Sequence, residues 1–429
     1  MASVILGNWT HRRGDAGGCR AIAADVAGAK PRVAWSWSPP HGGRVDQVRI
    51  VGDHVFTATL GPIDPLAAGW EHVVVYALDA ARGTVVATRT LADPVPVAAM
   101  VADDGVLHLV GTRSGEPVFW YALALPTLVP VHRRLLPLAA DARQADVLDA
   151  WASPDGGLWL EIEAAGSATE LPRRSFAFVS GSAADRPADV AAFDTAPTAT
   201  GHPRDGCVAG RALFAPTFPL GEALSVLRLE PDAPIRSSEW MRSDVVGKPA
   251  ALHTCYADGA VSVMALACSG ERVHVQATLV DGATGVVRVR SRVEQGFVKQ
   301  LGAWARMARR PNGELVLQRI GADGAPCSDL LCALPDGSIT SFKLGAARPY
   351  VLDLALGDAL LAHRSPKQGH VILSAFGVLE DGGWLGRRTS TLWSLELPTP
   401  GGEAGDAAVY AGAGHVIVRS PHRLTAIRV

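Results

Sequence analysis

The chain has 429 residues, 48% hydrophobic and 19% charged, and 40 basic against 42 acidic side chains leave a formal charge of −2. That balance supplies no long-range field, so any nucleic-acid or membrane patch has to be local. Six scattered cysteines without a Cys-x-x-Cys pair exclude a zinc ribbon or redox dithiol, and no run approaches the ~20 apolar residues of a membrane helix.

From the N-terminus, residues 1–9 hold only a short apolar stretch, Val4-Ile5-Leu6, and lack a charged region followed by an apolar core. His11, Arg12, Arg13 and Asp15 precede Cys19, so nothing hydrophobic stands ready to insert ahead of it. As written, the sequence predicts a soluble, cytoplasmic protein without membrane insertion; a periplasmic one requires a signal removed before this start. A lone strand follows at 32–38, with Trp35 and Trp37 alternating with serine on one face. They are expected to pack between the last blade and its neighbour.

A phrase then returns about every fifty residues: strand, tight turn, strand, loop, strand, turn, strand. Its first turn falls at Gly52-Asp53, Asp104-Gly105, Asp155-Gly156, Ala209-Gly210, Asp258-Gly259, Asn312-Gly313, Gly357-Asp358 and Ala413-Gly414. Unit one reads 45–50, 54–60, 72–78 and 84–91; unit five reads 251–256, 261–267, 273–279 and 285–293; unit six reads 304–308, 314–320, 329–333 and 338–344. With 45 Gly and 29 Pro the chain is punctuated too often for long helices. Short helical pieces are expected only near 65–69 and 141–147.

Self-similarity at this period marks a β-propeller or other repeat array, and four strands per unit is a propeller blade. After unit seven only three strands remain, at 407–411, 415–419 and 424–429. The spare strand at 32–38 completes them. Joining the two ends in one sheet removes two exposed edges, each an aggregation template. The expected architecture is all-β: a single propeller domain over 1–429 with an N-terminal extension at 1–30 and eight four-stranded blades. The blades lie at about 45–91, 96–138, 147–194, 205–245, 250–295, 302–345, 349–398, and 407–429 with 32–38. Seven blades is the alternative, because 349–398 is irregular and 401–406 reads as a linker.

Asn8-Trp9-Thr10-His11-Arg12-Arg13-Gly14-Asp15 resembles the Trp-x-x-x-Arg-Gly-Asp opening of PQQ-like β-propeller proteins. Ala77-Leu78-Asp79-Ala80-Ala81-Arg82-Gly83 is similar to their Ala-x-Asp-x-x-Thr-Gly turn, and Asp281-Gly282-Ala283-Thr284-Gly285 repeats its core. Where such proteins carry a Trp four residues after the turn Gly, this chain has Ala87 and Val289. The resemblance implies a propeller, and among its members a quinone-dependent dehydrogenase with a vicinal disulfide and bound Ca²⁺. No two cysteines are adjacent here and no such acidic cluster can be placed, so the expectation is a non-enzymatic member without cofactor, metal or catalytic residues.

Hydrolase signatures are missing as well: there is no Gly-x-Ser-x-Gly elbow and no His-Glu-x-x-His. Most cysteines read as small buried hydrophobes, with a Cys255–Cys268 disulfide left open because the two occupy neighbouring strands. Arg309-Arg310 fall in the first turn of blade six and Arg387-Arg388 in the third-to-fourth connection of blade seven. These turns open on one face, so the four guanidinium groups form a candidate patch for an acidic partner, with Trp384 as an aromatic anchor. The opposite face carries long loops at 61–71, with Asp64 and Trp70, and at 194–205. Trp70 is either folded onto its own blade or an exposed anchor.

The functional expectation is a protein-interaction scaffold or sensing subunit with a protein partner and no nucleic acid. The alternatives are a quinoprotein-type enzyme or channel ligand binder, and an envelope assembly factor similar to the propeller subunit of the outer-membrane barrel-insertion machinery.

Overall fold

The computed structural model describes residues 11, 19–22, 24, 26, 28–40, 42–62, 71–92, 97–103, 105–111, 118–136, 145–164, 173–181, 190–194, 204–217, 224–231, 238–245, 247–269, 272–291, 294–297, 302–321, 326–345, 349–367, 369–380, 387–399 and 407–429. Its strands form eight antiparallel four-stranded blades in a ring. Blade 1 is Arg44–Val51, His54–Pro62, Glu71–Asp79 and Val85–Thr90; blade 2 is Val97–Asp103, Val106–Gly111, Val118–Ala124 and Val129–Leu136. Blade 3 is Ala145–Ala152, Leu158–Ala164, Arg173–Val179 and Val190–Asp194; blade 4 is Cys207–Ala209, Ala212–Thr217, Ser225–Leu229 and Ser238–Arg242. Blade 5 is Lys248–Ala257, Ala260–Ser269, Arg272–Asp281 and Val287–Arg290; blade 6 is Gly302–Arg309, Leu315–Gly321, Pro326–Ala333 and Ile339–Lys343. Blade 7 is Val351–Leu356, Ala359–Lys367, His370–Glu380 and Arg387–Pro398; blade 8 is Ala408–Gly412, His415–Ser420, Arg423–Arg428 and, from the other end of the chain, Arg32–Trp37.

The first strands touch one another around the ring, from Arg44–Val51 through Val97–Asp103 to Ala145–Ala152, and from Cys207–Ala209 through blades 5, 6, 7 and 8 back to Arg44–Val51. Blades 3 and 4 join through Trp151, Trp159 and Phe178 against Val208, Leu213 and Leu227. First strands therefore form the inner wall and fourth strands the rim. The second strand of each blade packs on both faces, which is why Ala260–Ser269 reads as an apolar run buried almost throughout, whereas the rim strand Arg387–Pro398 is largely exposed.

Each first hairpin turns on a glycine at positive φ, from 54° at Gly52 to 86° at Gly313. In all but blades 3 and 6, whose loops are longer, the turn is two residues long, and this is the backbone such turns require to match strand twist.

Blade 8 closes as its sequence predicts. Arg32–Trp37 pairs antiparallel with Arg423–Arg428, Trp35 opposite Ala426 and Trp37 opposite Leu424. Both tryptophans face blade 1, although a bulge after Val33 interrupts the register. The buried Trp35 indole covers Gly83, and its Nε1–H donates to the Ala80 carbonyl at 2.7 Å. Trp37 meets Tyr76 edge to face at 5.0 Å. Burying two such rings contributes several kcal/mol to the seam, on the order of 25 cal/mol per Å².

Polar side chains staple other seams by imitating a strand. The Gln47 amide donates to Val97 and Ala98 carbonyls at 3.1 Å and accepts the Met100 N–H at 2.9 Å. Gln318, fully buried, accepts the Leu352 N–H at 2.7 Å and donates to the carbonyls of Cys327 and Tyr350. Arg419 donates to Val45 and Asp46 carbonyls at 3.0 Å, fastening blade 8 to blade 1.

Two expectations are corrected. Ala145–Ala152 is the inner strand of blade 3, not a helical piece, because Val147 and Ala150 join the buried face shared with blade 2; 141–144 and 65–69 lie outside the described residues. Cys255 is disulfide-bonded to Cys19, and Cys268 is free. In the hairpin register Cys255 faces Ser262 while Cys268 faces Lys248, so these two thiols lie at opposite ends of it.

That disulfide belongs to a feature the sequence did not reveal. Ala21–Ile22 pairs in parallel with the inner strand of blade 7. The Ala355 and Gly357 N–H groups donate to the Arg20 and Ile22 carbonyls at 2.8 Å, and the Arg309 N–H donates to the Cys19 carbonyl at 2.9 Å. His11 accepts the Ala152 N–H of blade 3 at 3.1 Å. The described parts of the N-terminal segment thus occupy inner edges of blades 3, 5, 6 and 7, satisfying backbone donors that would otherwise face the channel.

Candidate binding surface on blades 5 to 7

The two arginine pairs converge on blade 6, and a carboxylate absent from the sequence reading organises them. Glu314, with a side chain only 3% exposed, immediately precedes the second strand of blade 6. Arg310 Nη1 reaches its Oε2 at 2.5 Å and Arg387 Nη2 its Oε1 at 2.6 Å. Arg310 also donates to the Asp358 carbonyl at 3.0 Å, and Arg387 to Cys332 Sγ at 3.3 Å. The triad bolts blade 6 to blade 7 through charge-assisted bonds. Burial alone would raise the Glu314 carboxyl, but hydrogen bonds from Arg387 and Arg310 outweigh it and hold the group below the usual carboxylate range. Burial, followed by the Glu314 charge, pushes the Cys332 thiol up to about 12, which leaves it unreactive at neutral pH.

Arg309 and Arg388 point elsewhere. Arg309 turns toward blade 5, where Nη2 lies 2.9 Å from Asp258 Oδ2; Asp258 is 81% exposed and Arg309 18%. It lines a cleft of about 280 Å³ between blades 5 and 6 with Ala277, Leu279, Val289, Asn312 and Leu334. Arg388 is exposed on the rim strand of blade 7. With Lys343, Ser341, Thr389, Asp329 and Arg387 it lines a second cleft, of about 530 Å³, between the rim strands of blades 6 and 7. Thr389 ties these strands together, donating to the Lys343 carbonyl at 2.9 Å and accepting the Gly345 N–H at 3.0 Å. Asp329 is engaged by Arg319 at 2.8 Å.

The four arginines expected to form one patch are divided between separate settings. Arg310 and Arg387 are consumed by Glu314, while Arg309 and Arg388 line clefts on either side of blade 6. Trp384, Trp70 and Asp64 lie outside the described residues. Glu314 and Lys343 escaped the sequence reading because single charges on strands carry no motif. Asp258 was read only as a turn residue.

Among the described residues, no group of three His, Cys, Asp or Glu side chains is placed to hold a metal ion, and no helix is long and apolar enough to cross a membrane.

An eight-bladed β-propeller is the class that this geometry defines. No protein-family model matches the chain, and no curated protein does. Solved structures do. BamB from Moraxella catarrhalis is 11% identical, over 94% of this chain and 98% of its own, with a TM-score of 0.50. Quinohemoprotein alcohol dehydrogenase from Comamonas testosteroni is 11% identical, over 98% of this chain and 80% of its own, with a TM-score of 0.54. At such identity the likeness is one of fold.

Proposed function

We propose that the protein is a non-catalytic propeller scaffold that binds an acidic segment of a protein partner in the cleft between the rim strands of blades 6 and 7. The observation carrying this reading is the lining of that cleft: Lys343 and Arg388 beside Thr389 and Ser341, with its carboxylate, Asp329, already held by Arg319. The Glu314 triad supports the cleft from behind, so the rim strands keep their spacing without the ligand. The alternative of a channel cofactor is weakened by the chain itself, because 19–22 lie on the inner edges of blades 5 to 7.

The Cys19–Cys255 bond suits an oxidising compartment. This reading accordingly favours an exported protein over the cytoplasmic one expected from the sequence.

The test is native co-purification with the Lys343→Ser/Arg388→Ser double variant. Neither residue is a member of the Glu314 triad, so the protein keeps its cooperative melt while partner recovery falls about tenfold or more. Undiminished recovery, or a melting temperature raised by calcium plus quinone, contradicts the reading.

A further inference from the structure

We propose that the cleft between blades 5 and 6 is a binding site for a small planar aromatic carboxylate, separate from the partner cleft on the other side of blade 6. The inference comes from comparing seams within this one molecule. At the seam of blades 8 and 1, the rim strand supplies Trp35, which lies against Gly83 in the third-to-fourth turn of the next blade. At the seam of blades 4 and 5, the rim strand supplies Trp240, which lies against the equivalent Gly285. At the seam of blades 5 and 6, the equivalent turn glycine is Gly337, and the side chain against it is Val289. The three glycines share the same left-handed backbone, with φ of 70°, 73° and 86°. The turn that elsewhere receives an indole here receives an isopropyl group.

The difference is left as space. The cleft measures about 280 Å³; Val289, Leu279, Leu315 and Leu334 form its apolar wall, and Asp258, Thr278 and Asn312 also line it. An apolar cavity of roughly 150 Å³ already suffices to hold benzene, so a bicyclic ring fits with room for a substituent. The walls suit stacking and dispersion.

One end of this apolar slot is charged. Arg309 lines it, and its Nε is buried with no hydrogen-bond acceptor among the described residues. Among the described residues, Nη2 is engaged by the largely exposed Asp258, which also lines the cleft. Because Asp258 is largely in water, the pair is screened and its carboxylate is exchangeable. A ligand carboxylate can take Nε and Nη2 together in the side-on bidentate mode that guanidinium favours, while Asp258 returns to water. With Asp258 displaced into water, the apolar wall and the Arg309 guanidinium together select a ring that carries an acid over the same ring without one.

The probe is indole-3-propionate, titrated calorimetrically into the full-length protein, with indole-3-propanol as the uncharged counterpart. The expected result is saturable binding of the acid, about tenfold tighter than the alcohol. Arg309→Gln removes that preference and leaves alcohol binding unchanged. Val289→Trp places the missing ring in the slot, abolishes binding of both probes and preserves the cooperative melt. If Val289→Trp does not fold, Arg309→Gln alone decides. Absence of saturable binding by the native protein, an acid preference that survives Arg309→Gln, or binding that persists in folded Val289→Trp overturns the proposal.

Discussion

Replacing Glu314 by Gln tests whether the arginines of blades 6 and 7 are structural. The three side chains are 8%, 3% and 12% exposed for Arg310, Glu314 and Arg387. Gln preserves shape and one acceptor but leaves two buried guanidinium groups without a counter-charge. Breaking such a buried set costs about 3–5 kcal/mol. The lower end applies here, because Arg310 keeps the Asp358 carbonyl and Arg387 keeps Cys332 Sγ. Unfolding entropy for 429 residues is roughly 0.9 kcal/mol/K, so about 3 kcal/mol lowers the melting temperature by about 3 °C. The pH dependence carries the sign. The folded Glu314 carboxyl lies below its ordinary value because the bonds from Arg387 and Arg310 overcome the effect of burial. Its contribution is complete above the unfolded carboxyl pKa and is lost as pH falls through the folded one. Differential scanning fluorimetry of both proteins from neutral pH downward should show a gap that narrows in acid. Identical melting at pH 7, or a gap that stays constant down to about pH 2, would refute the reasoning.

Three further outcomes follow from the seams. Gln318→Leu strands the Leu352 N–H and two carbonyls; it should cost about 2–3 kcal/mol and speed amide exchange at Leu352, and an unchanged exchange rate would show that the staple is idle. Trp35→Ala empties the seam of blades 8 and 1 and should cost about 3–5 kcal/mol in equilibrium unfolding, whereas a loss under 1 kcal/mol would mean that the indole is not buried there. His11 and His108 are held near about 3 and His132 near about 4. Burial is the main cause in each, followed by Arg49 at His11, His132 at His108 and Arg134 at His132. A histidine with a depressed folded pKa favours the native state above its unfolded pKa of roughly 6.5 and opposes it as pH falls toward the folded value. The melting temperature should begin to drop below about pH 6.5, with a shallower slope in His108→Gln; a flat profile from pH 7 to 5 contradicts this.

The ring was legible because its determinants are local. Gly52, Gly259 and Gly414 mark turns by backbone necessity, and alternating or continuous apolar runs mark strands that the blades then bury. The closing strand was legible because Trp35 and Trp37 gave an otherwise isolated segment one apolar face. The placement of residues 19–22 was not, since it rests on backbone groups of Arg20 and Ile22 meeting Ala355 and Gly357 more than 330 positions later. The candidate surface was half legible. Arginine pairs in turns could be assigned to one face, but nothing local announced that Glu314 would take two of the four. The Val289 substitution was visible as a departure from the PQQ-like turn, yet its meaning required seeing Trp240 and Trp35 on the equivalent glycines.

Ser36 and Thr425 face each other across the closing pair, their hydroxyl oxygens 3.4 Å apart, and introducing cysteine at both positions tests the seal of the ring. Mass mapping under non-reducing conditions should recover the linked peptides 36 and 425 from monomeric, folded protein, with a raised melting temperature. Two freely alkylated thiols at those positions in folded protein would contradict a propeller completed by its N-terminal strand.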